Sequence, residues 1–550
     1  MNRRIRLILV LGGLLMAGIC VRLVHLQLLQ GAVYARAAFN EHFRLVNRQP
    51  RRGSILDREG RILAVSLASD SVYADPKIVR NPDEVSQQLS EILSIPVETF
   101  AKPLAQKNRR FCWLARNITP SQSEALHRLK LHGVFFRKES QRFYPAGPDT
   151  AGLIGITTID GEGIEGIERT HDRSLKGTPG MELIAHDAFA RPYQGSALIL
   201  HDSEQGSDVQ ITIDLALQHF AAEALRRAVE SEQASWGAAV ILNPKSGDIL
   251  AMASEPSYEP NTFESTSVEQ RRNHCVMDLV EPGSTFKAIT FAIALANRLV
   301  SPEDTIDCQG GSLWIGNAHF EDWKKFSILP VRDVLVFSSN VGTIHIAHRV
   351  GGLQLSEFAR QLGFGQDVPV DIPGTQSGFI RGGPKWSQTA TASLSIGYGV
   401  STTALQMATA YGIFANGGYR ISPRLVLNEP RPASERIIEE NAAGTLRSLL
   451  HEVVSRGTGH LADPVYYTAG GKTGTSRRYD PARGGYQEGA ITCLFAGFAP
   501  ADNPQIALCI IIDNPKHGIW ASQVAAPVFK EIVDRSLIYL GIPSDKGVAV

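Results

Sequence analysis

Hydrophobic positions are distributed unevenly along this chain, and the first thirty residues stand apart from the rest. Arg3, Arg4 and Arg6 precede residues 7–21, which carry no charge, and apolar residues continue past Arg22 through Leu23, Val24, Leu26, Leu28 and Leu29. About 20 apolar residues cross a bilayer, and an arginine at the flank can snorkel to the headgroups. The pattern predicts a membrane helix within residues 1–30. A cleaved leader needs small residues at its cleavage site, whereas Ala17-Gly18-Ile19 ends in a bulky one, and Ile19 is too large for a lipoprotein signal before Cys20. The expectation is an uncleaved signal anchor with a cytoplasmic N-terminus, set by the arginines, and everything from residue 31 outside.

Beyond the anchor the periodicity changes repeatedly. Residues 51–64 read as two strands around the turn Asp57-Arg58-Glu59-Gly60, and residues 152–180 are rich in glycine. Gly206-Ser207-Asp208 marks a boundary, after which 209–213 reads as a strand and Asp214 as a helix N-cap. Leu215, Leu217, Phe220, Ala221, Ala224 and Leu225 then follow a helical period. Strands are expected at 237–242 and 248–253, helices through 284–455, strands again near 468–475, 491–499 and 506–513, and a last helix near 522–540. Two strands, a helical insert, three strands and a helix predict an α+β domain, an antiparallel sheet covered by helices. The division expected is 1–30 for tail and anchor, 31–205 for an elongated mixed α/β domain, and 206–550 for the layered domain.

Charge excludes more than it suggests. The chain has 55 basic and 55 acidic residues among 550, a net charge of zero, which argues against a strongly basic nucleic-acid binder. Its six cysteines form no C-x-x-C pair and no zinc-like cluster. Cys493 and Cys509 lie in strand-like runs, either as two buried small hydrophobes or as a disulfide.

Three motifs carry candidate chemistry. Ser284-Thr285-Phe286-Lys287 follows Pro282-Gly283 and opens the apolar run Ala288-Ile289-Thr290-Phe291-Ala292-Ile293-Ala294-Leu295-Ala296. A helix apolar on every face is buried. Ser284 and Lys287 then lie one turn apart on one face, and burial favours the neutral amine, the base a serine nucleophile needs. The helix N-terminus adds backbone N–H groups for an oxyanion. An isolated S-x-x-K is common by chance, but a lysine inside so apolar a helix needs a partner. Ser338-Ser339-Asn340 precedes a helical pattern and by itself reads equally as an N-cap. Lys472-Thr473-Gly474-Thr475 follows Gly470-Gly471; it reads as an edge strand, or as a carboxylate pocket that glycines leave open to a ligand.

S-x-x-K, S-x-N and K-T-G in this order resemble the penicillin-binding proteins and serine β-lactamases. Around them, residues 243–254 and 256–261, Ser395-Ile396-Gly397-Tyr398-Gly399-Val400, and Ala415-Asn416-Gly417-Gly418 resemble further family blocks. Residues 52–64, Arg142-Phe143-Tyr144-Pro145 and 163–180 resemble the pedestal, or dimerisation-type, domain of class B members. Ser339, Gly470, Glu259, Tyr398 and Ala404 depart from residues more usual in the family. The resemblance implies a peptidoglycan D,D-transpeptidase. Ser284 would be acylated by D-Ala-D-Ala stem peptides and Lys287 would be its base. Ser338 would relay protons, and Asn340 would bind substrate or Lys287. Lys472, Thr473, Gly474 and Thr475 would bind the terminal carboxylate, with an oxyanion hole from the N–H groups of Ser284 and Thr475. No cofactor is implied. No asparagine between Ser338 and Lys472 has a glutamate four residues before it, so the E-x-x-x-N device of class A β-lactamases is missing. The implied partners are peptidoglycan stem peptides, β-lactams, the membrane, a SEDS-family glycosyltransferase and other divisome proteins. A division-type, FtsI-like member is expected; an elongation-type enzyme and a catalytically idle scaffold are the alternatives.

Overall fold

The computed structural model describes residues 3–185, 198–383, 385–428, 430–431, 433–480 and 484–547. Two compact units are formed, Met1–Gly53 with Lys176–Ser207, and Ser54–Leu175 with Asp208–Val550.

In the first unit, helix α1 (Arg3–Val24) continues through a π turn, His25–Leu29. Together they make 27 residues, within which an 18-residue window has a mean hydropathy of 2.5 and no buried residue. At 1.5 Å per residue this is about 40 Å, enough to span a bilayer core of about 30 Å. The helix Gly31–His42 follows, and a three-stranded antiparallel sheet pairs Phe43–Arg48 with Gly180–Ala185 and Gly180–Ala185 with Leu198–His201.

The second unit begins with the expected pair of strands, β1 (Ile55–Leu56) and β2 (Ile62–Ala74). Asp57 shapes their turn, its Oδ1 accepting from the N–H groups of Glu59 and Arg61, both at 2.8 Å. β2 also pairs with β3 (Cys112–Ile118) and β4 (Val134–Phe143). The helices Pro82–Leu93, Val97–Leu104 and Pro120–Leu129 bury Leu89, Phe100 and Leu126 against Val72 and Ala74 of that sheet. The strand expected at 209–213 is shorter: β5 (Val209–Gln210) pairs parallel to β1, and Ile211 forms a single bridge to Val426. Thr212 instead donates through Oγ1 to the carbonyls of Ile249 (2.7 Å) and Arg424 (3.0 Å), which draws the chain out of that sheet. Asp214 caps helix α2 (Leu215–Ser231) as expected, accepting from the N–H groups of Ala216 and Leu217.

The central sheet holds β6 (Trp236–Leu242), β7 (Ile249–Glu255), β8 (Gly470–Asp480), β9 (Gly485–Ala499) and β10 (Ile506–Asp513) in the antiparallel order β7-β6-β10-β9-β8. Its middle strands are buried on both faces. Ala238, Val240 and Leu242 enter one core with the helical insert, while Ala239 and Ile241 enter a second core beneath α2 and the C-terminal helix Ala526–Tyr539. This is the α+β layering expected. The same alternation settles the cysteine question. Cys493 faces the second core and Cys509 the first, and the register pairs Cys493 with Ile512 and Cys509 with Ala496, so both are free thiols.

β8 and β9 run further than expected, because their pairing continues past Thr475 and Cys493 into a hairpin that reaches Asp480 and Gly485. The insert between β7 and β8 is mainly helical, but it also holds strand pairs of two to four residues, too short to impose a period: Thr305–Asp307 with Ile328–Pro330, and Ser312–Ile315 with Ala318–Glu321.

Candidate active site

The turn that carries Ser284 is a short 3-10 segment, Gly283–Phe286, which runs directly into helix α3 (Lys287–Ala296). Every residue from Thr285 to Leu295 is buried, as the unbroken apolar pattern requires. Two glycines press on this turn from either side. A Cβ on Gly397, whose φ is +83°, would lie 2.1 Å from the Gly283 carbonyl oxygen. A Cβ on Gly474 would lie 2.4 Å from that of Pro282. The close approach explains why glycine stands at both positions: any side chain would push the Ser284 turn away from β8 or from the 395–400 loop. Further hydrogen bonds fix the turn. Thr285 Oγ1 donates to the Pro282 carbonyl at 2.7 Å, the buried Tyr411 hydroxyl donates to the Thr285 carbonyl at 2.9 Å, and Ser476 Oγ of β8 donates to the Glu281 carbonyl at 2.7 Å. Ser284 itself is half-buried, with its hydroxyl unpartnered among the described residues.

Lys287 is fully buried. Its Nζ donates to the Ser338 carbonyl at 2.7 Å and to Ser338 Oγ at 3.2 Å. Burial lowers its pKa to about 7, against a smaller upward pull from Asp322. A large fraction of this amine is therefore neutral near pH 7, whereas an exposed lysine is almost wholly protonated.

The Ser338-Ser339-Asn340 motif divides its labour. Ser339 is the N-cap of helix α4 (Asn340–Val350), its Oγ accepting from the Gly342 N–H at 2.9 Å. The capping role that a Ser-x-Asn pattern suggests thus falls to the middle serine, and Ser338 is left to meet Lys287. It does so in a left-handed conformation, φ +59°, which is uncommon for a residue with a side chain. Asn340 does not reach Lys287 here; its Nδ2 donates to the Glu321 carbonyl at 2.6 Å.

On β8, Lys472 is also fully buried. Its Nζ donates to Thr473 O (3.2 Å), Thr473 Oγ1 (3.3 Å) and Thr458 Oγ1 (3.4 Å). Burial and the nearby Lys287 hold its pKa well below the ordinary lysine value. Two buried lysines near one another, with hydroxyl partners and, among the described residues, no carboxylate on Lys472, make a site that favours an anionic ligand. Thr475 Oγ1 accepts from the Ala521 N–H at 3.0 Å. The backbone of Thr475 approaches Gly283 closely enough that a Cβ there would be 3.1 Å from its oxygen.

Three residues of the site escaped the sequence reading. Asp322 follows the strand Ala318–Glu321 and accepts from Ser339 Oγ at 2.7 Å. Thr458 joins Lys472 to Thr473. Glu281 accepts from the Gly399 N–H (2.8 Å) and the Tyr486 hydroxyl (2.9 Å), tying the Ser284 turn to the 395–400 loop and to β9, and burial raises its pKa. A cavity of about 450 Å³ lined by Asp371, Arg420 and Arg424, among others, contains none of the motif residues.

Comparison with known proteins shows the family. Residues 237–534 match the penicillin binding protein transpeptidase domain family, and residues 47–211 match the penicillin-binding protein dimerisation domain family. The chain is a class B penicillin-binding protein. It is 34% identical over 555 residues to the probable peptidoglycan D,D-transpeptidase PenA of Neisseria meningitidis serogroup A, covering 99% of this chain and 94% of that one. It is 32% identical over 503 residues to the peptidoglycan D,D-transpeptidase FtsI of Escherichia coli K12, covering 90% and 84%. The crystal structure of penicillin binding protein 3 from Mycobacterium tuberculosis, complexed with aztreonam, superposes with a TM-score of 0.72 at 27% identity, covering 91% of this chain and 98% of that one. This penicillin-binding protein is FtsI-like, and it is a penicillin-sensitive transpeptidase of the serine type.

Proposed function

We propose that this protein cross-links peptidoglycan stem peptides through an acyl-enzyme on Ser284, during septal wall synthesis in cell division. The observation that carries the reading is the fully buried Lys287, its pKa near 7, one helical turn from Ser284 and hydrogen-bonded to Ser338. The neutral amine takes the Ser284 hydroxyl proton, with Ser338 as relay, while Oγ attacks the carbonyl carbon of the penultimate D-Ala. The oxyanion is held by the backbone N–H groups of Ser284 and Thr475. Lys472, Thr473 and Thr475 bind the terminal carboxylate, with Gly474 keeping that strand close to the Ser284 turn; Asn340 contacts the stem peptide. When the tetrahedral intermediate collapses, the C–N bond breaks, the departing amine takes up the proton, and D-Ala leaves. An amine of a second stem peptide then attacks the ester, which closes the cross-link and restores Ser284. A β-lactam follows the first step only and stays on the serine.

Residues 31–205 are assigned to the pedestal and 206–550 to the catalytic domain, a division supported by the two family matches. The apolar helix is assigned as a single-pass anchor. Arg3, Arg4 and Arg6 before it support a cytoplasmic N-terminus and an external catalytic domain. Within the membrane the anchor is expected beside a SEDS-family glycosyltransferase and other divisome proteins. The division role is supported by the likeness to FtsI. Depletion should produce filaments, and expression of the wild type, but not of Ser284→Ala, should restore septation. Rounded cells instead of filaments would mean an elongation enzyme, and rescue by Ser284→Ala would mean a scaffold whose chemistry is dispensable.

A further inference from the structure

Ser338 contacts Lys287 through two atoms. Its left-handed conformation closes the helix Val331–Val336: the Ser338 N–H donates to the Leu335 carbonyl at 3.2 Å and the Ser339 N–H to the Val334 carbonyl at 2.9 Å. The residues on either side of it are also held by three consecutive residues that begin at the end of the strand Ala318–Glu321. The Glu321 carbonyl accepts from Asn340 Nδ2 at 2.6 Å, and Trp323 Nε1 donates to the Phe337 carbonyl at 2.8 Å. Between them, Asp322 Oδ1 accepts from the N–H groups of Asn340 and Val341, the latter at 3.1 Å, and Oδ2 accepts from Ser339 Oγ at 2.7 Å. The Asp322 N–H is itself held by the Gly311 carbonyl at 2.9 Å. Residues 337, 339, 340 and 341 are thus all held by 321–323, and Ser338 is the one residue of the turn left pointing elsewhere.

We propose that Asp322 is a positioning residue for the acylation step: its carboxylate clamps the first turn of α4 so that Ser338 meets Lys287. A carboxylate at a helix N-terminus satisfies orphan N–H groups and complements the helix dipole. The bonds to flanking residues help to hold the left-handed serine in place. Asp322, from the segment after Ala318–Glu321, acts on Lys287 by its charge, and Lys287 in turn lowers the pKa of Lys472 on β8. Asp322 favours the ammonium form, so with its charge removed Lys287 becomes harder to protonate.

The proposal rests on Lys287 as the base, and the test separates the two. The acylation rate of the full-length, detergent-solubilised protein by a fluorescent penicillin is measured between about pH 5 and pH 8.5 for wild type, Asp322→Asn and Asp322→Ala. The wild-type rate should fall below about pH 7 as Lys287 is protonated. Asp322→Asn keeps an acceptor oxygen without the charge; its acid limb should move to lower pH by about half a unit or more. Asp322→Ala also loses the clamp, and its plateau should drop about tenfold or more below wild type. A purely structural role for Asp322 would lower the amount of folded protein without moving the limb. A limb present in wild type but unmoved in Asp322→Asn overturns the proposal alone, as does a wild-type plateau in Asp322→Ala. A wild-type profile flat across this range overturns the Lys287 reading and the proposal with it. Should Asp322→Ala not fold, the near-isosteric Asp322→Asn still decides.

Discussion

Lys287→Met should lower acylation by on the order of 10³-fold or more while making the protein more stable, because one buried amine is both the proposed base and an energetic burden. The kinetic half follows from the site. Methionine fills much of the same space but neither takes the Ser284 proton nor donates to Ser338 O and Oγ. The stability half follows from linkage. The lysine pKa is 10.5 in the unfolded chain and about 7 in the folded one. Between those values the unfolded state binds more protons than the native state, so this group makes stability rise with pH across roughly pH 7–10.5, and below 7 its full penalty remains. At pH 8 the penalty is on the order of 3 kcal/mol, because each pH step between there and the unfolded-chain pKa contributes about 1.4 kcal/mol. Lys287→Met should therefore show a higher denaturant midpoint than wild type at pH 8, with the gap closing as the pH approaches about 10. An unchanged midpoint would mean that Lys287 is solvated in the folded protein.

The second large effect is expected at Gly474, which touches no substrate atom through a side chain. A methyl group there would sit 2.4 Å from the Pro282 carbonyl oxygen, 2.9 Å from Thr285 Cγ2 and 3.2 Å from the Thr285 N–H nitrogen. Two of these contacts are with backbone and the third with a side chain in the buried core, so β8 and the Ser284 turn must separate. That separation parts the two N–H groups proposed for the oxyanion hole. Gly474→Ala should lose about 10²-fold in acylation, comparable to the loss of one oxyanion donor, while the core of the central sheet stays folded. A second-order acylation rate within a few-fold of wild type would show that the two backbones do not act together.

What the sequence revealed and what it hid have different physical origins. The apolar N-terminal helix, the paired strands around Asp57, the cap at Asp214 and the helix after Ser284 follow from local pattern, and all are present. Lys287 was conspicuous because a charge in an unbroken apolar helix has few explanations. Asp322 and Thr458 were not conspicuous, since one follows a four-residue strand and the other follows the end of a helix beside Gly457 and Gly459, and neither segment has a period of its own. Their roles arise only when distant segments meet: Asp322 with Ser339, Thr458 with Lys472. The extended β8–β9 hairpin and the shortened β5 fall to tertiary pairing for the same reason. The cysteine question, open from sequence, needed only the strand register to decide it.

The central claim is that Ser284 is the residue that becomes acylated. Intact-mass measurement of the protein after incubation with benzylpenicillin, followed by peptide mapping, tests it most directly. Wild type should gain the mass of one penicillin molecule on the peptide that contains Ser284, and Ser284→Ala should gain none. An adduct that persists in folded Ser284→Ala, or maps to another peptide, would contradict the account.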